Sequence, residues 1–308
     1  MTGLPCHGVG YFGVNHQSFG DGLEDGHDRP AGSVWTDIWG TTWRKEYDGI
    51  MGFHIGNPLA DPKSLASYKW PDPDDERICG KIYEQAEAFD RDGGAFLCGA
   101  NRDTLWEKAY MLVGMENMME YFYSEPEYAG EILHRIMDFQ LGIAGHYANA
   151  GIELAALGDD LGTQCGPLLG PEIFGEFLLP EYRRLFGFYK SRNILINFHS
   201  CGHIEPLLED FIALGADVLN PVQATANDLR RVREITEGKM ALAGGVSTGL
   251  IMEGPTERIR RTVKDTIYLL GRNGGYFCQP DQGMPFPREN IEAFYQAVEE
   301  YGRYPLNT

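Results

Sequence analysis

Nowhere in the 308 residues do about 18 apolar side chains run together, so no segment reads as a membrane-crossing helix. The opening residues, Met1-Thr2-Gly3-Leu4-Pro5, lack a basic start followed by an apolar stretch, so no secretory leader is expected. Basic residues are scarce: 26 Lys and Arg stand against 45 Asp and Glu, for a formal net charge of −19. A field of that sign repels phosphate backbones and anionic lipid, which makes nucleic acid and membrane surfaces poor partners. The six cysteines (Cys6, Cys79, Cys98, Cys165, Cys201, Cys278) form no CxxC pair and no small-domain disulfide framework. Reduced thiols and a cytoplasmic location are therefore expected. Low-complexity tracts and like-charge runs, the marks of a disordered tail, are also missing.

What is present is a globular composition, 43% hydrophobic, which suffices for a sizeable core. From about residue 94 short apolar runs alternate with amphipathic stretches, the pattern of a parallel sheet wrapped by helices. Strands are expected at Gly94–Gly99, Glu153–Gly158, Ile194–His199, Asp217–Pro221, Met240–Gly244 and Gly275–Gln279. Helical spacing marks Pro171–Arg192, Thr256–Gly271 and Asn290–Tyr301, with Pro-Glu and Pro-Thr-Glu starts and with Gly215 and Gly238 as stops. A doubly wound nucleotide binder should lead from an early strand through a glycine-rich phosphate loop, and none is recognised. The expectation is a single α/β domain over residues 1–308, a (β/α)8 barrel, which typically needs about 250 residues. Residues 1–93 would hold the amino-terminal segment and the first barrel elements. Within them Tyr11–Asp75, with Trp35, Trp39, Trp43 and Trp70, reads as an irregular cover over the barrel mouth.

In a parallel barrel the reactive groups gather where strands end. Four strings qualify: Gly158-Asp159-Asp160-Leu161-Gly162-Thr163-Gln164, Asn197-Phe198-His199-Ser200-Cys201-Gly202-His203, Asn220-Pro221-Val222-Gln223 and Cys278-Gln279-Pro280-Asp281-Gln282. His199 and Cys201 are two apart, which turns both side chains to one side of a strand. Imidazole and thiolate suit Zn²⁺, and a catalytic zinc takes three protein ligands and keeps one position open. Cys278, ending the last strand, is the expected third ligand. The competing possibility is that a strand-end cysteine is only a small buried hydrophobe. His203 either replaces one partner or caps the next helix. Asp159 and Asp160 face opposite ways if the strand continues, so one of them is expected in the pocket, as metal ligand or acid–base group. The other would steady the turn. Gln164, Gln223, Gln279 and Gln282 add uncharged amides suited to a polar but not highly charged ligand.

These strings resemble, in order, those of the uroporphyrinogen decarboxylase superfamily. The GDDLGTQ string, Pro171-Glu172, His199-Ser200-Cys201-Gly202, Asn220-Pro221-Val222-Gln223, Ala243-Gly244-Gly245-Val246, Gly274-Gly275-Tyr276 and Glu289-Asn290-Ile291 all find counterparts there. The resemblance implies a (β/α)8 barrel with its site at the carboxyl mouth. Decarboxylases of the superfamily carry an amino-terminal basic loop of RQAGR type, which this sequence lacks, so the cobalamin-dependent methyltransferase branch is implied. On that footing zinc would sit on His199, Cys201 and Cys278, with Asp160 and His199 as catalytic groups. Asp159, Gln164, Asn220, Gln223 and Gln282 would contact substrate. A small methylated donor, such as a methyl ether undergoing O-demethylation, would pass its methyl to the cobalt of a separate corrinoid protein, and a homodimer is compatible with this. One departure is visible: matching Gly283-Met284-Pro285 to the family's glycine turn puts Gln282, not Cys278, at the third-ligand place, leaving Asp160 or Gln282 as substitutes. The alternatives are a decarboxylase of an aromatic or tetrapyrrole acid, which would need cationic anchors, and a non-catalytic member that only binds a ligand.

Overall fold

The computed structural model describes residues 5–19, 28–90 and 93–306. The chain forms two compact units, one of His7–Asp159 with Pro171–Ile194, the other of Met1–Cys6, Asp160–Gly170 and Leu195–Thr308.

In the first unit the chain runs β1 (Cys6–Gly10), β2 (Val34–Thr36), β3 (Thr42–Arg44), β4 (Phe53–Gly56), α1 (Glu76–Glu87), β5 (Phe96–Asn101), α2 (Trp106–Val113), α3 (Met115–Ser124), α4 (Pro126–Asn149) and β6 (Leu154–Gly158). After the excursion of 160–170 it returns as α5 (Pro171–Ile173), a π turn (Phe174–Leu178) and α6 (Leu179–Lys190). Strands β1, β5 and β6 lie side by side in that order, β5 and β6 parallel. The glycines of Gly8-Val9-Gly10-Tyr11-Phe12-Gly13 have the spacing of a phosphate loop, which the sequence reading passed over. A tight turn follows them, closed by Val14 N–H to Tyr11 O and His16 N–H to Gly13 O, so no helix amino terminus meets a phosphate there.

The tryptophan-rich segment is not irregular throughout. β2, β3 and β4 form a three-stranded antiparallel sheet in which Trp35 stands opposite Trp43. Both indoles are buried, with ring centroids 6.2 Å apart, and His16 stacks on Trp43 at 4.0 Å. Strands of three or four residues carry too little alternation to register as a period of two.

The second unit repeats a strand–helix unit: β7 (Leu195–His199), α7 (Leu208–Leu214), β8 (Val218–Val222), α8 (Leu229–Thr236), β9 (Ala241–Val246), α9 (Thr248–Glu253), α10 (Thr256–Leu270), β10 (Tyr276–Pro280) and α11 (Arg288–Tyr301). Its strands pair in sequence order, all parallel. The six expected strands lie within two residues of β5 to β10. Alternation decides what each strand offers. In β7 Ile196 and Phe198 are buried, Phe198 against Phe211 of α7 at 5.0 Å, which leaves Asn197 and His199 on the face away from that helix. In β10 Tyr276 and Cys278 pack with Val263 and Ile267 of α10 and Phe294 and Val298 of α11. Spacing of three and four along α10 (Ile259, Val263, Ile267, Leu270) places its apolar stripe on this core. Among the described residues no helix is long and apolar enough to cross a membrane.

Candidate functional site

The end of β7 and the loop 160–170 build the site, both within the second unit. His199 closes the strand on its non-helical face, and Cys201 follows two residues later. Their side chains meet, His199 Nε2 lying 3.4 Å from Cys201 Sγ. Asp160 completes the group: its Oδ1 is 3.5 Å from His199 Nε2 and accepts the Cys201 N–H at 3.0 Å. One ligand atom from each of Asp160, His199 and Cys201 falls within 4.8 Å of the others. Burial alone would raise the Asp160 carboxyl, but the hydrogen bonds from His199 and the Cys201 N–H hold it below the usual carboxylate range. Asp160 therefore stands ionised, suited to hold a cation and not to donate the proton that a raised pKa would have given it.

Two glycines let the loops meet. A Cβ on Gly202, whose φ is +83°, would stand 2.3 Å from Gly162 O, and one on Gly162 would stand 2.6 Å from Cys201 O. Across this contact His203 N–H reaches Thr163 O at 2.6 Å, while Leu161 N–H donates to the buried Ser200 hydroxyl at 3.1 Å. Asn227 braces the other side, donating to Gly202 O and accepting from Ile204 N–H.

The remaining expected residues separate clearly. Gln223 accepts from Gly202 N–H at 3.0 Å and donates to Gln164 Oε1 at 3.2 Å, so both amides belong to the frame behind Cys201. Gln282 comes forward, its Nε2 2.7 Å from Cys201 Sγ. Asn220 contributes its carbonyl, which accepts from Ser200 N–H. His203 is outside this group, its Nδ1 lying 2.6 Å from Ala226 O. Cys278 is not brought to His199 and Cys201. It is 3% exposed in the apolar core between β10, α10 and α11, and burial pushes its thiol up to about 11. The strand parity that turns Tyr276 to the helices turns Cys278 the same way, so the expectation that Cys278 joins His199 and Cys201 is corrected: the group beside them is the Asp160 carboxylate.

Asp159 was expected to touch substrate, and the structure spends it elsewhere. Its carboxylate is fully buried and accepts from Leu105 N–H at 2.7 Å, Glu107 N–H at 2.8 Å and the Tyr182 hydroxyl at 2.7 Å, holding the start of α2 in the first unit. Burial pushes this carboxyl up to about 7 against those donors. Asp159→Ala is expected to cost about 3 kcal/mol in denaturant unfolding, because buried donors lose their acceptor. A loss below about 0.5 kcal/mol would show that α2 is held by something else.

Sequence reasoning gave no role to Asp281, Asn227 or Thr248. Asp281 accepts from Ala224 N–H and Gly245 N–H, tying the ends of β8 and β9 to that of β10, and burial pushes its carboxyl up to about 6. Only its place before Gln282 in a strand-end string could have pointed to it.

Comparison with known proteins follows the same lines. The family model described as Uroporphyrinogen decarboxylase (URO-D) matches residues 46–301. The methylated-thiol–coenzyme M methyltransferase of Methanosarcina mazei is 25% identical over 190 residues, 61% of this chain and 49% of that protein. A uroporphyrinogen decarboxylase of Burkholderia thailandensis is 27% identical over 180 residues, 56% of this chain and 48% of that protein. The chain thus spans about half the length of these curated relatives. Among solved structures a methyltransferase from Methanosarcina mazei superposes with a TM-score of 0.69 at 19% identity, covering 86% of this chain and 77% of that one. At that identity the likeness shows the fold, and the fold class is the (β/α)8 barrel expected from the sequence.

Proposed function

Because this chain belongs to the uroporphyrinogen decarboxylase (URO-D) family, we propose that it is a methyltransferase that moves a methyl group from a small uncharged donor to the cobalt of a separate corrinoid protein. The observation that carries this reading is the convergence of Asp160, His199 and Cys201. Likeness to the Methanosarcina methyltransferase supports it from outside. A carboxylate oxygen, an imidazole nitrogen and a thiolate sulfur are the donor types that suit Zn²⁺, and two anionic ligands balance its charge. When bound there, zinc supplies a Lewis acid for the charge that develops on the departing heteroatom.

The chain's own groups do the rest. Asp160, already ionised, needs no deprotonation to bind a cation. The Cys201 backbone is fixed through the Asp160 carboxylate before any ion arrives, so little reorganisation is left. The neutral Gln282 amide beside the ionised Asp160 favours an ether, thioether or amine nitrogen over a polyanion, which would face the Asp160 charge. In the transfer the bond between methyl carbon and heteroatom breaks with its electron pair left on the heteroatom. The new bond uses the electron pair of cobalt(I). A methyl ether undergoing O-demethylation fits these requirements, since an alkoxide leaves poorly unless a Lewis acid takes up its charge.

The test is a methyl-transfer assay with the purified, zinc-loaded chain, free cob(I)alamin and a panel of methyl ethers, thioethers and methylamines. Cobalamin absorbance should report transfer from at least one donor class, fall to background on chelation and return with zinc. No transfer from any class by metal-loaded protein, or release of CO₂ from a tetrapyrrole or aromatic acid instead, would overturn the proposal.

A further inference from the structure

We infer that Gln282 is a positioning residue for the metal centre: its amide N–H holds the Cys201 sulfur in ligand position and draws electron density from it. This rests on the metal-centre reading above and adds a fourth side chain to it. The end of that side chain lies 2.7 Å from Cys201 Sγ, on which the side chains of His199 and Asp160 also bear. Orientation of an amide is a matter of which end faces which partner, and a thiolate accepts only, so the NH₂ end belongs toward sulfur. An amide oxygen at that distance would repel it.

The side chain is presented by a backbone that has little freedom. Gln282 N–H donates to the Thr248 hydroxyl at 2.8 Å, and that hydroxyl donates back to Gln282 O at 3.1 Å. One residue earlier Asp281 is anchored by the N–H groups of Ala224 and Gly245. A strand end clamped on both sides aims one exposed amide at one sulfur. Nothing in the packing of the core requires this, because Gln282 itself is exposed. Hydrogen bonds to a ligating thiolate lower its donation to the metal and fix its direction, and partners of ligands typically change metal affinity by about 10–100-fold when removed.

The experiment uses the whole chain loaded with Co²⁺, whose absorption contains a sulfur-to-cobalt charge-transfer band. Wild type, Gln282→Leu and Gln282→Glu are compared for Co²⁺ affinity and for band position, with thermal melting of the metal-free proteins as a control for folding. Gln282→Leu removes the donor and puts no polar atom in its place. Affinity is expected to fall about 10-fold or more, with the band moving to lower energy as the sulfur becomes more electron-rich. Gln282→Glu, which has no N–H to give, should show the same band shift. An unchanged affinity and band in Gln282→Leu would overturn the inference while leaving the metal reading intact. Tighter binding by Gln282→Glu without a band shift would overturn it too, since the side chain would then be acting through its oxygen. If wild type binds no metal at all, the underlying reading fails instead.

Discussion

His199→Ala and Cys201→Ala should each lose metal on dialysis and lower methyl transfer on the order of 10²–10³-fold. Each removes one of three donor atoms that lie within 4.8 Å of one another. The His199 side chain is 40% exposed, so its removal opens no core cavity, and folding should survive. Asp160→Asn is the more searching change, because it keeps shape and removes charge. It should weaken metal binding while its remaining carbonyl oxygen can still receive the Cys201 N–H. Elemental analysis of wild type and the three variants, each dialysed against a weak chelator, decides the matter. Equal metal in all four samples would remove zinc from this site, and methyl transfer at the wild-type rate would remove the site from the reaction. Cys278→Ala serves as the internal comparison: a buried thiol in an apolar core should change stability modestly and metal content not at all.

The second large effect is structural, and it falls on the same loops. Gly202→Ala should destabilise the chain by about 3–4 kcal/mol and cut metal affinity with it. Two costs combine: a φ of +83° that an L side chain rarely adopts, and a Cβ set 2.3 Å from Gly162 O and 2.6 Å from Thr163 O. Those contacts are backbone, so no side chain can swing aside, and the loops bearing Asp160 and Cys201 must part. Gly162→Ala strikes the same contact from the other side, and the double variant should cost less than the sum. Gly166→Ala, where a Cβ meets nothing within 4 Å, should be close to neutral. Denaturant midpoints with an unchanged slope would measure each. A Gly202→Ala protein as stable and as metal-competent as wild type would mean that the loops can separate without harm.

Much of the architecture was legible because it follows from local periodicity. The apolar runs of β5 to β10, of which β9 is buried on both faces, stand out against amphipathic helices such as α10. The segment 34–56, expected to be irregular, was not legible as a sheet, since three-residue strands leave no periodic signal. At the site, the choice between Asp159 and Asp160 was open in the sequence because adjacent residues differ only in face. The start of α2 settled it by claiming Asp159. Cys278 and Gln282 show the same limit. Both end the last strand, and a residue count cannot say which one the helices α10 and α11 draw inward.

Taken alone, the amino-acid order determined the strand–helix alternation and the shared side of His199 and Cys201, because both depend on neighbours within a few positions. Tertiary structure decided which carboxylate and which strand-end side chain join them. Those choices turn on which face of a strand its helices cover and on where two glycines allow distant loops to touch, and such contacts between remote segments exist only once the chain has packed.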